Sequence, residues 1–320
     1  MLQTLTSPKF LRSALPAASL GILLTAIFTI QPRAMSYFGL NLMLQYAVPI
    51  ALATIAQMCI ITVNDLDLSI GPFVGLVACI GATLLYNQPM LGVLALAACI
   101  AAYGALGALI QWRNLPSIVV TLGMSFVWLG IAVLVLPTPG GKAPALLKGI
   151  MSFKIQYQMF GYHVIPPFPV IAAVIIAVAV HFGLMRSSYG AVLRGAGGNP
   201  KAIDRTGWSL MKTKIVMFSM AGFFGVLSGL SLIGLTSAAD AHIADRYTLY
   251  SIAGVILGGG EFVGGRVSPT GAVLGALTLA LAGSFLIFIR ISTDWQVGAQ
   301  GAILIIVLAL RALVNRREAR

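Results

Sequence analysis

Charge is the scarcest commodity in this chain. Only 9% of residues are Asp, Glu, Lys or Arg, against about 25% in soluble proteins. A soluble enzyme of this size has too little charge here to cover its surface. Disorder is excluded as well, because disordered segments are polar or highly charged and this one is apolar. Cysteine is nearly missing: Cys59, Cys79 and Cys99 all lie deep in apolar sequence. That excludes a disulfide-stapled secreted domain. Acidic residues number 8 against 20 basic ones. What the chain has in quantity is hydrophobic residues, 59% of 320, with a mean hydropathy of +0.97. The class that survives is a polytopic membrane protein.

Charge-free runs mark the spans, since a membrane helix needs about 20 predominantly apolar residues. Such runs separate Arg12 from Arg33, Arg33 from Asp65, Arg113 from Lys142, Lys154 from Arg186, Lys214 from Asp240 and Arg266 from Arg290. The 45 uncharged residues between Asp67 and Arg113 suffice for two spans with a turn at Asn87-Gln88-Pro89. The run from Asp294 to Arg311 is lengthened by snorkelling end residues. The stretch from Arg246 to Glu261 encloses only 14 residues. Counting it gives ten spans; omitting it gives nine. The runs are long and continuous, which favours helices over a barrel. The first run is long for a signal peptide and no clear small-residue cleavage site follows it.

Basic residues decide between nine and ten. With a cytoplasmic N-terminus, ten spans place 14 of the 20 lysines and arginines inside and 6 outside. Nine spans divide them evenly. The positive-inside rule therefore selects an all-α, polytopic bundle of about ten transmembrane helices, some discontinuous, with both termini cytoplasmic. Residues 1–320 form one transmembrane domain. The net charge of +12 is then topology, and no soluble domain exists to offer it to nucleic acid. Membrane lipid is the expected surround. An outer loop holds Asp240, His242, Asp245 and Arg246, and residues 187–214 form the largest inside loop.

Two places interrupt the apolar pattern. Asn64-Asp65-Leu66-Asp67-Leu68-Ser69 sits between two spans, and Gly71-Pro72 follows it. One reading is a short cytoplasmic turn with Ser69 or Asp67 capping the next helix. The other is a broken helix whose backbone lines a cavity, the setting in which irregular backbone is tolerated at depth. Two Asp residues without His are too few for a metal site. The second place holds Gly258, Gly259, Gly260, Gly264 and Gly265, with Glu261 and Arg266 as a possible pair. That density of glycine disfavours regular helix. A half-crossing helix, a glycine turn and a new helix from Pro269 fit the spacing. Gly71 and Gly75, Gly225 and Gly229, and Gly271 and Gly275 are each four apart, which suits close packing within a bundle.

The inside loop carries Gly197-Gly198-Asn199-Pro200-Lys201-Ala202-Ile203-Asp204-Arg205-Thr206-Gly207. Asn199 suits an N-cap, Pro200 the first helical position and Gly207 a stop. A two-turn helix is unstable alone in water and must rest on something, either a protein partner or the lipid surface.

These segments resemble a family. Asp65-Leu66-Asp67-Leu68-Ser69-Ile70-Gly71 is similar to the G-G-I-D-L-S-V-G segment of permease subunits of ribose-type ABC sugar importers. Gly197 through Gly207 resembles their cytoplasmic G-G-N-x-x-A-A loop. Ile256-Leu257-Gly258-Gly259 through Gly264-Gly265 to Gly271-Ala272-Val273-Leu274-Gly275-Ala276 resembles their glycine-rich stretch. The likeness covers about residues 40–312. It departs at Asn64-Asp65, where the family has a glycine pair, and at Trp208. The resemblance implies a second permease subunit, identical or not, a cytoplasmic ABC ATPase, and a periplasmic solute-binding protein, all at the bacterial inner membrane. It implies that Gly197, Gly198, Asn199, Pro200, Lys201, Ala202, Ile203, Arg205 and Gly207 form the ATPase-coupling segment. No phosphate-binding loop occurs in this chain, so no cofactor is expected on it, and ATP and Mg belong on the ATPase. A neutral sugar needs hydrogen-bonding groups and aromatic faces. The candidates for the pathway are Gln45, Gln57, Asn64, Asp65, Asp67, Ser125 and Trp128. A proton-coupled transporter would need an intramembrane carboxylate facing a cavity; Asp65, Asp67 and Glu261 fall near cytoplasmic ends in this topology. His163, His181 and His242 form no catalytic dyad or zinc motif in the sequence. A cysteine placed at 204 is expected to react with an impermeant reagent only from the cytoplasm, and one at 242 only from outside. The opposite pattern in right-side-out and inverted vesicles would invert the topology.

Overall fold

The computed structural model describes residues 8–153, 168–200, 203, 207–261, 265 and 267–292, with residues 158–159, 162–163, 295, 298–299, 301–302, 305 and 309 besides. The elements in order are α1 (Pro8–Ile30), α2 (Tyr37–Thr62), α3 (Ile70–Ala82), α4 (Leu84–Asn87), α5 (Pro89–Arg113), α6 (Ser117–Val135) and α7 (Ala145–Ser152). A two-residue hairpin follows, β1 (Gln158–Met159) with β2 (Tyr162–His163). Then come α8 (Phe168–Val180), which runs on through a π-helical turn at His181–Met185, and α9 (Ser188–Gly198). The last are α10 (Leu210–Thr236), α11 (Tyr247–Leu257) and α12 (Pro269–Phe288).

Seven helical stretches among the described residues are long and apolar enough to cross a membrane: 37–62, 70–87, 89–113, 117–135, 168–185, 210–236 and 269–288. Helix α1 contributes a shorter apolar segment, Pro16–Ile30, and α11 is shorter still. The tenth expected span, 295–310, falls mostly outside the described residues. The interrupted run 246–261 does not cross as one helix. Its α11 has 11 residues, about 16 Å of rise against a hydrocarbon core of about 30 Å.

Helix α2 is the hub. It is buried along nearly its whole inner two-thirds and packs on α10, α11 and α12. Helix α6, by contrast, exposes Phe126, Val127 and Leu134 on a surface suited to lipid. Glycine sets how closely the hub's neighbours approach. A Cβ on Gly225 would lie 2.7 Å from the Phe73 ring, and one on Gly229 would lie 2.5 Å from Val77, so α10 and α3 touch with no room between. Gly271 and Gly275 press on the carbonyls of Gly258 and Gly254, which folds α12 back against α11. The third pair, Gly71 and Gly75, meets something other than a helix. A Cβ on Gly75 would be 2.5 Å from the Ala241 carbonyl oxygen, and one on Gly71 would be 2.7 Å from that of Ala244.

The segment 187–214 contains a helix that its spacing does not predict. Residues Ser188–Gly198 are α9, and Asn199 closes that helix at φ −149°. Gly197 and Gly198 are therefore the end of a helix, not the approach to one. Pro200 and Ile203 are helical again, and Gly207 has φ +81°, which suits a stop. Lys201, Ala202, Asp204, Arg205 and Thr206 lie outside the described residues. Ile203 packs on α9 in a small cluster with Val192, Ala196 and Leu210. Ile203 thus finds its groove on the chain itself.

The glycine contacts give a direct stability test. Gly229→Leu must push α10 from α3 and is expected to cost about 1–3 kcal/mol or more. Gly123→Ala on α6, with nothing within 4 Å, is expected to be neutral or stabilising by about 0.5–1 kcal/mol. Thermal unfolding in detergent reads both, and equal effects would contradict the packing.

Candidate functional site

Residues 63–69, between α2 and α3, are the unwound stretch. Non-helical backbone inside a membrane protein must find partners, because hydrocarbon offers none. The surrounding helices supply them. Leu66 N–H donates to Ser117 Oγ at 3.1 Å and Leu68 N–H to Thr121 Oγ1 at 3.0 Å. Both acceptors sit on the first turns of α6. The Gln57 side-chain amide, turned to satisfy both groups, donates to the Asp67 carbonyl at 3.1 Å and accepts from its N–H at 3.2 Å.

The Asp67 carboxylate is the centre of this arrangement and is fully buried. One oxygen accepts from the Ser69 N–H and the Ser69 hydroxyl, each at 2.7 Å. The other accepts from the Tyr103 hydroxyl at 2.8 Å. Ser69 occupies the N-cap position of α3 but makes no capping bond; the carboxylate two residues earlier takes its N–H instead. Tyr103 stacks on Trp128 with ring centroids 6.0 Å apart and 3° between planes. Phe73 meets both edges-on, at 4.4 and 5.4 Å. This closes the break on the side of α5 and α6.

Below this network Asp65 pairs with Lys214 on the first turns of α10, at 2.7 Å, with both side chains largely buried. Asn64 takes φ +62° and turns the chain out of α2. The Asn64-Asp65 departure from the family's glycine pair thus has a physical content. Asn tolerates the left-handed conformation, and Asp65 meets a cation.

Of the seven pathway candidates, Gln57, Asp67 and Trp128 come together in one buried network, and Asp65 lies just below it. Gln45 is elsewhere: its amide donates to the Met151 carbonyl at 3.1 Å, tying α2 to α7. Ser125 is exposed on α6 and donates to the Leu122 carbonyl. Tyr103, Ser117, Thr121 and Lys214 were not singled out from sequence. Nothing local marks them, since their role comes from what the break needs.

The site joins the end of α9 beside the last turn of α2. A Cβ on Gly197 would stand 2.5 Å from both the Thr62 carbonyl oxygen and the Gly265 backbone. The end of α9 is wedged between the last turn of α2 and the glycine turn after α11. Gly265 has φ +62° and Gly259 φ +99°, where a side chain would be strained. Gly264 and Arg266 lie outside the described residues, and with them the suggested pair of Glu261 with Arg266. No group of three or more His, Cys, Asp or Glu suited to a metal occurs among the described residues.

Residues 39–308 match the family model for the permease component of the branched-chain amino acid transport system. The chain belongs to that family. Its relatives include the ribose import permease protein RbsC of Escherichia coli K12, 25% identical over 305 residues, 93% of this chain and 91% of that one. The galactose/methyl galactoside import permease protein MglC of Haemophilus influenzae is 26% identical over 294 residues, 85% of each. The D-allose transport system permease protein AlsC of E. coli is 26% identical over 264 residues, 80% of this chain and 78% of that one. The resemblance read from the three motifs is thereby shown. No solved structure matches the chain.

Replacing Tyr103 by Phe removes one donor from a buried carboxylate and is expected to cost about 1–2 kcal/mol. Asp67→Ala orphans three donors and is expected to cost about 3 kcal/mol or more. Because the two residues share a network, the double mutant should lose less than the sum. Additive losses in thermal unfolding would show that the network is not a unit.

Proposed function

We propose that this protein is the membrane-spanning permease subunit of a bacterial ABC importer and forms the pore for a small neutral solute, a monosaccharide. A separate cytoplasmic ATPase subunit binds ATP and Mg and supplies the energy. A periplasmic solute-binding protein delivers the sugar, and a second permease subunit completes the pore. The chain sits in the inner membrane with both termini cytoplasmic. It performs no catalysis of its own.

Family membership supports the class of function, and the names of the ribose, galactose and allose permeases support a sugar. The observation that carries the mechanism is the seat of Gly197 against Thr62 and Gly265. The segment from Gly197 to Gly207, which includes Gly198, Asn199, Pro200, Lys201, Ala202, Ile203 and Arg205, is the docking surface for the ATPase. A push on it reaches the inner ends of both broken helices through backbone contact, with no flexible side chain between. ATPase closure then biases the pore between outward and inward states, which requires that the ATPase grip the two states differently.

Gly198 is exposed at the end of α9, so a bulky charge there leaves the fold intact. In proteoliposomes with its ATPase and binding protein, Gly198→Glu is expected to lower uptake tenfold or more while the chain stays inserted. Undiminished uptake would count against the docking role. Accumulation of sugar by the permease alone on an ion gradient, without nucleotide, would establish a secondary transporter instead.

A further inference from the structure

The acidic and basic residues between α10 and α11 are not held at the outer surface. The outer rim is fixed by the end of α3. There Lys142 N–H donates to the Ala82 carbonyl at 3.0 Å, and Gly140 and Ala239 exchange two backbone hydrogen bonds at 2.8 and 2.9 Å. From Ala239 the chain descends along α3. Ala241 abuts Gly75, and Ala244 and Asp245 abut Gly71. At 1.5 Å per residue, Gly75 lies about 10 Å below Ala82 and Gly71 about 16 Å below it. Thr248 then ties the segment to α3: Gly71 N–H donates to its Oγ1 at 3.0 Å. From the other side, α11 starts at Tyr247 and packs Gly254 against Thr54 of α2. Thr54 is eight residues, or about 12 Å, above the inner end of α2. Both measures put residues 244–248 near the middle of the bundle.

The descending segment, a series of turns at residues 241–246, has two faces. Ala239, Ala241, Ala244 and Tyr247 are buried against the bundle. His242, Asp245 and Arg246 are exposed. His242 Nδ1 meets Asp245 Oδ2 at 2.8 Å, with 60% and 48% of the two side chains exposed. Asp240 fixes the turn by accepting from the His242 N–H at 3.0 Å.

Three ionisable side chains at this depth cannot face lipid, because such residues in the hydrocarbon region turn to a water-filled cavity or to protein. We infer that residues 241–246 line the aqueous translocation pathway from below the rim to mid-depth, and that His242, Asp245 and Arg246 are the specificity-determining groups that hydrogen-bond the hydroxyls of a passing polyhydroxylated solute. A pair already bonded to each other offers both donors and acceptors at its edges. That suits a neutral polyol, whose hydroxyls do both. The inference rests on the permease reading, and it moves the pathway away from the buried network at Asp67.

Substituted-cysteine labelling tests it in the assembled importer in vesicles. The three native thiols are buried and serve as the unreactive background. His242→Cys and Asp245→Cys are expected to react with a charged, membrane-impermeant thiosulfonate from the outer aqueous side. Phe126→Cys, on the exposed apolar face of α6, is expected to react only with a lipid-soluble maleimide. Modification at 242 is expected to cut uptake of D-ribose or D-galactose, whichever the unmodified importer accumulates, at least tenfold. Because an outer loop also labels from outside, reagent size decides: the small thiosulfonate is expected to reach 245 while an impermeant polyethylene-glycol maleimide is not, and reaction with the bulky reagent would overturn the inference. This readout needs only insertion, so it holds even where neither sugar is carried, an outcome that would count against the sugar reading alone. Reaction at 242 and 245 only with the lipid-soluble reagent would overturn the inference. So would modification that leaves uptake undiminished.

Discussion

Unwinding a chain inside a membrane protein exposes peptide groups that lipid cannot satisfy, and each one left unpaired costs several kcal/mol. The stretch 63–69 exists because that cost is met locally. Gln57, Ser117 and Thr121 take the peptide groups, and the Asp67 carboxylate takes the Ser69 N–H, the Ser69 hydroxyl and the Tyr103 hydroxyl. Helix α3 can then begin directly after the break. Its Gly71 and Gly75 receive the turns at residues 241–245, and its Gly81 meets Ile233 of α10. Remove the carboxylate and the start of α3 loses its anchor, and with it the support of those turns.

A second broken element mirrors the first. Helix α11 has only 11 residues, too few to cross, and α12 returns against it through Gly254, Gly258, Gly271 and Gly275. The two breaks meet the same object at their inner ends, the last turn of α9 at Gly197. Contacts made by backbone alone transmit displacement with little loss, since there is no rotamer to absorb it. The coupling role proposed for the segment Gly197 to Gly207 rests on that contact. It also explains why glycine is required at 197, where even a methyl group has no space.

Much of this was legible in the residues. Charge-free runs located the long helices, because membrane insertion is a bulk property that composition records. The half-crossing helix before the glycines was readable from 14 uncharged residues followed by a glycine cluster. The four-residue spacing of the three glycine pairs points to close contacts within the bundle, and two of the pairs pack helices, but Gly71 and Gly75 receive the turns at residues 241–245. The signal was present as Ala239, Ala241 and Ala244, small residues at near-alternate positions. It was masked by Asp240, His242, Asp245 and Arg246, whose charges read as an outer loop. Helix α9 was missed because Gly190, Gly195, Gly197 and Gly198 lower its intrinsic propensity. Its packing on Ile203 and Thr62 overrides that, and packing is not written in one segment. The partners of Asp67 were invisible for the same reason: Tyr103 is 36 residues away.

The account stands or falls on the unwound backbone being held, and hydrogen exchange reads that directly. In the assembled importer without nucleotide, the amides of Leu66, Leu68 and Ser69 should exchange as slowly as those of the helices beside them, although they are not helical. Trapping the ATPase in its closed state should change their protection together with that of residues 258–265. Exchange at the rate of an open loop, or no response to the closed ATPase at either break, would contradict it.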